Sequence, residues 1–272
     1  MKIRWLIFPC CFFLIFPMPV IAFYDDGVAV NSIVMDFDFS EYDENGEVVN
    51  ERGVIAGAGV ELGKAFGALW LSTKGSIIKG LTVYDGQTQS GIPHKTNTDQ
   101  TVYDYSFQVG RIYQSWRRHD YAILYAGLGF HQWTRDIKTR NNVQGLYERY
   151  SWLYAHVGAR GFLYSTERMH LMVELNLLRT INPVMDVSFK GQHDNTRVSL
   201  GEHYGAKLSI PFHFSITRRF IVYADIFFEA WDLGQSKVVD LTSDGFVSGG
   251  LQEPRSTSRF KGAEIGFLLR FE

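Results

Sequence analysis

The chain has 272 residues, with 27 basic and 29 acidic side chains and a formal charge of −2; its mean hydropathy is close to zero. That balance argues against a nucleic-acid binder, which needs a basic face. Both cysteines, Cys10 and Cys11, lie near the start, so the rest of the chain has no thiolate for catalysis or zinc and no disulfide to hold a small core.

The first residues read as a secretory leader. Lys2 and Arg4 precede an apolar run from Trp5 to Phe16, and Val20, Ile21 and Ala22 supply the small positions that a signal peptidase reads. The run is too short for a membrane-spanning helix, which takes roughly 20 residues, and is broken by Pro9 and Pro17. Ile7, Phe8 and Pro9 stand before the cysteines, so they do not form a lipoprotein signal. The expectation is a signal peptide over 1–22, cleaved after Ala22, and a single domain over 23–272 with no linker at which to divide it. Beyond the leader no stretch of 18 apolar residues occurs, so any membrane crossing must be made by strands.

Alternating apolar and polar residues predict strands over 30–41, 53–63, 68–84, 101–113, 121–136, 147–162, 169–180, 198–212, 218–232 and 258–271. Between them, 42–52, 85–100, 137–146, 181–197 and 233–257 are long connections, whereas 64–67, 114–120, 163–168 and 213–217 are short. Long and short alternate without exception, as in barrels with short periplasmic turns and long outward loops. The long ones contain turn sequences such as Asp43-Glu44-Asn45-Gly46 and Ser243-Asp244-Gly245.

Side chains on a strand alternate between two faces. The last strand sets Ala263, Ile265, Phe267, Leu269 and Phe271 against Gly262, Glu264, Gly266 and Arg270, and the ninth sets Val222, Ala224, Ile226, Phe228 and Ala230 against Tyr223, Asp225, Glu229 and Trp231. The second opposes Ala56, Ala58, Val60 and Leu62 to Gly57, Gly59, Glu61 and Gly63. In the first, Ile33, Met35, Phe37 and Phe39 are expected outward and Asp36, Asp38 and Ser40 inward. Aromatic residues near strand ends (Tyr103, Tyr105, Tyr113, Phe212, Phe220) suit the two membrane interfaces. The fold expected is all-β, a closed antiparallel transmembrane β-barrel of ten strands, with eight or twelve as the alternatives. A secreted sandwich, which also alternates, is the competing fold.

In its leader, its alternating strands and its closing segment from Ala263 to Phe271, the chain resembles the Gram-negative outer-membrane β-barrel proteins. In such proteins a terminal aromatic residue is read by the barrel assembly machinery, and the resemblance assigns that role to Phe271, here followed by Glu272. In size and strand number the chain is similar to the omptin proteases. The resemblance implies the cell outer membrane as location, and outer-membrane lipid, lipopolysaccharide and the assembly machinery as partners, with an extracellular ligand left open.

Continuing the faces inward gives a lumen network of Asp36, Asp38, Glu61, Lys74, Asp104, His131, Arg135, His156, Arg160, Glu174, Lys207, Asp225, Glu229, Glu264 and Arg270, with Gln108, Asn176 and His203 beside them. Acids and bases are mixed, so a salt-bridged filling is expected, with a narrow solute path as the alternative. Asp36 and Asp38, two apart on one strand, are candidate carboxylates for sharing a proton or positioning a water, with His131 as partner. Omptins are similar in using acids and a histidine at the rim, but the chain has no copy of their Asp-x-His element. His213 and Ser215 form the His-x-Ser spacing of lipid hydrolases, at the periplasmic end, where a turn-flanking pair is the simpler reading. The stripe Tyr150, Trp152, Tyr154 shares parity with His156 and Arg160 and is expected inward or at the rim. Gly57, Gly59 and Gly63 let bulky lumen groups approach the wall. The function expected is a structural or surface-interacting barrel without catalysis, cofactor or metal. A narrow, porin-like channel or small-solute carrier is the second reading and an omptin-like protease or lipid A hydrolase the third.

Overall fold

The structure, a computed structural model, describes residues 26–87, 91–114 and 121–271; the leader and the connection 115–120 lie outside them. The strands are β1 (Gly27–Asp43), β2 (Gly46–Phe66), β3 (Leu69–Gln87), β4 (Pro93–Gln114), β5 (Tyr121–Ile137), β6 (Tyr147–Ser165), β7 (Met169–Ser188), β8 (Thr196–Ser199), β9 (Tyr204–Ser215), β10 (Phe220–Leu233), β11 (Val239–Ser243), β12 (Phe246–Leu251) and β13 (Arg255–Arg270). Ten of them close a ring in the order β1-β2-β3-β4-β5-β6-β7-β9-β10-β13, every neighbour antiparallel, with β13 returning to β1 from Gly27↔Arg270 to Tyr42↔Arg255. β8 pairs antiparallel with the end of β7 from Val184↔Ser199 to Val187↔Thr196, and β11 and β12 form a separate hairpin. Closure leaves the ring no open edge, which a sheet immersed in hydrocarbon requires because unpaired backbone groups there cost several kcal/mol each.

Ten strands were expected and ten form the wall, but several are much longer than the sequence suggested. The connection expected over 42–52 is a tight turn on two continuing strands, with Asp43 accepting hydrogen bonds from Asn45 N–H at 2.7 Å and Gly46 N–H at 3.0 Å. The one expected over 85–100 is mostly β3 and β4. These residues are polar on both faces or turn-like in composition, and pairing with their neighbours overrides that local preference.

Outward-facing side chains form an apolar band: 28–34 on β1, 54–66 on β2, 153–163 on β6, 169–177 on β7 and 263–271 on β13. The segments on β6, β7 and β13 match the roughly 9 to 11 residues a tilted strand needs to cross hydrocarbon. Above it, toward the long loops, the outer face turns polar at Asp36, Arg52, Gln132, Ser151 and Lys261.

Candidate functional site

The lumen is divided, and its divisions follow from which residues share the inward face. Toward the end carrying both termini lies a cavity of about 180 Å³, room for several waters. Lys74 Nζ reaches both oxygens of Glu264 at 2.9 and 3.0 Å, Asn31 donates to the same carboxylate, and Lys207 lies 3.7 Å from Glu229 and 3.8 Å from Glu264. Across the cavity Arg160 Nε donates to Glu174 at 2.8 Å, and Tyr125 O–H donates to that carboxylate. Ser72 donates to Glu61 at 3.0 Å, and His156 meets Asn176 at 3.2 Å. Asp225 lines the cavity, one of its oxygens having no hydrogen-bond partner among the described residues.

The cavity ends at an aromatic floor. His131 Nδ1 lies 2.9 Å from Asp104, whose other oxygen accepts from Tyr154 O–H at 2.9 Å. The His131 ring stacks on Trp152 at 4.4 Å, and Trp231 meets Trp152 edgewise at 5.6 Å and His131 at a tilt at 5.9 Å. Tyr154 and Tyr125 lie flat against the wall because their strand partners are Gly129 and Gly158. A Cβ at Gly129 would fall 2.1 Å from the Tyr154 ring, and one at Gly158 2.3 Å from Tyr125. Glycine gives the approach expected of it, at positions the sequence reading did not single out.

Beyond the floor, toward the loops, Phe37, Phe39, Trp133, Tyr150 and Phe260 interlock, with Trp133 stacked on Tyr150 at 4.8 Å and Phe39 edge-on to Trp133 at 4.9 Å. Phe37, Phe39 and Tyr150 are wholly buried. Arg135 lies over Phe39 at 4.4 Å and is the hub of the next layer. Its Nε donates to Glu51 at 3.2 Å, and its Nη1 donates to Glu41 at 3.0 Å and Glu148 at 2.7 Å. Glu51 also accepts from Gln100 at 2.8 Å and from Thr98. Tyr150 O–H donates to Glu253 at 2.6 Å and lies 3.4 Å from Glu148. Above this layer the loop residues Phe189, Val198, Leu200 and Leu241 complete the filling.

Two expectations are corrected. Asp36 and Asp38 face outward, opposite Lys261 and Arg259 on β13, and Asp38 pairs with Arg52 at 3.3 Å; Ile33, Met35, Phe37 and Phe39 face the lumen instead. The rule of apolar outward and polar inward holds only in the band. Beyond it the outer face meets water and the inside is an apolar core. The wall therefore separates Asp36 and Asp38 from His131. Arg270 is at the terminal rim, donating to the Arg218 carbonyl at 3.3 Å, away from the network it was expected to join. Glu61, Lys74, Asp104, His131, His156, Arg160, Glu174, Lys207, Asp225, Glu229 and Glu264 line the cavity together, and Arg135 sits in the layer beyond.

His213 and Ser215 both point inward at the terminal end, with the His213 ring 5.5 Å from Tyr223 and Ser215 N–H donating to the Arg168 carbonyl. No hydrogen bond joins the two among the described residues. The sequence reading missed Glu41, Glu51, Glu148 and Glu253, the partners of Arg135. The parity of Gly57, Gly59 and Glu61 continued backward reaches Glu51, and that of Tyr150 reaches Glu148. Only the assumption that 42–52 was a loop hid the first. Among the described residues no group of His, Asp or Glu side chains is arranged to hold a metal ion.

No protein family model and no curated protein sequence matches the chain. Among solved structures it is similar to the outer membrane protease OmpT from Escherichia coli, at 10% identity with a TM-score of 0.60, over 93% of this chain and 99% of that one. It also matches the transport unit of the autotransporter AIDA-I from Escherichia coli at 9% identity and a TM-score of 0.48, over 91% of each chain. The fold is thus the closed ten-stranded antiparallel barrel of the outer-membrane kind.

Proposed function

We propose that this chain is an integral outer-membrane barrel with a structural or surface-interacting role, exported by a cleaved leader over 1–22, and that it conducts no steady current. The observation that carries the reading is the filled outer half of the lumen: Phe37, Phe39, Trp133, Tyr150 and Arg135 are each at most 2% exposed. A path for ions would have to displace an interlocked aromatic layer and a buried ionic one. Purified protein in planar bilayers is expected to give no steady conductance at neutral pH, and a stable unitary current would overturn the reading.

Contact with the outer leaflet is part of the proposal. Arg52, Arg179 and Lys261 are the first outward residues beyond the apolar band on their strands, where the anionic headgroups of lipopolysaccharide would meet them. Phe271 is the residue proposed for recognition by the assembly machinery. Its N–H donates to the Asp26 carbonyl at 3.0 Å, and Lys64 lies 5.3 Å from its ring.

The second reading, a narrow solute path, is favoured by the polar cavity of about 180 Å³. It requires the outer filling to move. The protease reading finds little support, since Asp36 and Asp38 lie on the opposite side of the wall from His131.

A further inference from the structure

The layer around Arg135 contains more negative charge than it can neutralise. Glu41, Glu51, Glu148 and Glu253 are all at most 9% exposed. Among the described residues the only ion pairs they make are with Arg135, which bonds the first three. Glu51 is satisfied as a carboxylate, with Thr98, Gln100 and Arg135 all donating to it. The remaining three share one guanidinium nitrogen and one phenol. Tyr150 has a single proton, donated to Glu253, yet its oxygen also lies 3.4 Å from Glu148 and accepts from Arg135 at 3.2 Å. Buried carboxylates without a counter-charge keep their protons.

Glu253 belongs to the segment 234–254, which leaves β10, forms the β11–β12 hairpin and returns to β13 across the loop end. Besides Tyr150, this segment is held by Leu241, buried in the core above the Arg135 layer with Val239 and Leu251 packed against that core, and by a small set of hydrogen bonds. Gly234 exchanges hydrogen bonds with Gly201, and the Glu253 N–H and carbonyl are bonded by Ser236 within the segment itself. Asp194 accepts from Thr242 Oγ1 at 2.7 Å and Gly245 N–H at 3.0 Å, and His193 meets Ser248 at 3.2 Å. Its tip is uncovered, with Phe246 and Val247 largely exposed.

We propose that segment 234–254 is a lid, latched over the outer mouth by protons held among Glu41, Glu148 and Glu253, so that the mouth loosens reversibly as the medium turns alkaline. The titratable groups facing the latch are Glu41 on β1, Glu51 on β2, Tyr84 on β3, Arg135 on β5, and Glu148 and Tyr150 on β6. β4 contributes Thr98 and Gln100, neither of which titrates. Burial, then the neighbouring Glu41 and Glu148 carboxylates, push the Glu253 carboxyl well above the ordinary carboxylate range. A raised carboxyl binds more protons latched than free. The latch is therefore intact at acidic pH and weakens as pH rises above the ordinary carboxylate value. The Asp194 anchor has the opposite sense, since the Thr242 hydroxyl and the Gly245 N–H hold its carboxyl low, so it persists at alkaline pH and acts as a hinge.

The test is a nitroxide spin label at L251C, a half-buried position of the segment packed against the core, in the mature chain 23–272 refolded in lipid. The label is expected to be immobile at pH 5, with a mobile fraction about tenfold larger at pH 9 for each pKa unit of coupling, recovering on return to pH 5. The pair E148Q and E253Q keeps neutral hydrogen-bonding groups without needing protons and is expected to hold the label immobile at both values. Y150F, which removes only the bridging hydroxyl, is expected to free it even at pH 5. Equal mobility of the parent at the two pH values, an unchanged transition in the glutamine pair, or an immobile label in Y150F would each overturn the latch. So would the same transition from a label at N45C in the β1–β2 turn, which would mark general loosening of the barrel.

Discussion

Arg135 shows how a single buried cation can organise a charged layer. Its carboxylate partners are held against solvent by the aromatic residues beneath and the loops above, so its loss leaves them uncompensated. R135M is expected to lower unfolding free energy by about 3–5 kcal/mol at pH 7, read as the urea midpoint of the refolded barrel in lipid vesicles. The loss should shrink at pH 4, because burial raises the Glu41 and Glu148 carboxyls and favours their protonated forms there. A pH-independent loss would mean that packing alone explains it. At Gly129 the constraint is steric. G129V is expected to cost about 1–3 kcal/mol by overpacking and to shift the near-ultraviolet circular dichroism, since Tyr154 must leave the wall and release Asp104. An unchanged aromatic spectrum would count against that contact.

Among the elements, β1 is where sequence and structure part. Its apolar residues 33, 35, 37 and 39 occupy the face that the simplest membrane pattern assigns to charge, because this strand runs from lipid into a zone with water outside and an aromatic core inside. The register argues for opposite responses along one face. V30R, within the band, is expected to cost about 2–4 kcal/mol, whereas D36R, beyond it, should change stability by less than about 0.5 kcal/mol. Equal costs would return Asp36 to the lumen. β2, β10 and β13 were legible because most of each lies in the band, where alternation and polarity agree. The outer halves of β2, β3 and β4 were not. Their composition is that of soluble hairpins, and nothing in Asn50, Arg52, Thr96 or Thr98 distinguishes a paired strand from a polar loop until the neighbouring strand is in place. The cavity residues were readable as a set, since each is charged and of inward parity. The Arg135 layer was not, because its acids come from four separate segments whose register must be known first.

At the scale of the molecule, closure depends on the seam between β13 and β1. F271S is expected to lower the yield of heat-modifiable, membrane-inserted protein severalfold in cells. The same change should leave the spectrum of protein refolded in detergent near the parent's, because Phe271 is outward and partly exposed. Failure in detergent as well would show that it serves stability rather than recognition. The wall is also tall. β4 has 22 residues, and at about 3.3 Å per residue such a strand extends roughly 70 Å along its own tilted axis, against a hydrocarbon thickness near 30 Å. Most of the excess stands on the side of the hairpin tips, so the barrel is a pedestal as much as a plug. Whatever approaches the barrel from that side meets Asp43, Asn45 and Phe246 well before it reaches the apolar band.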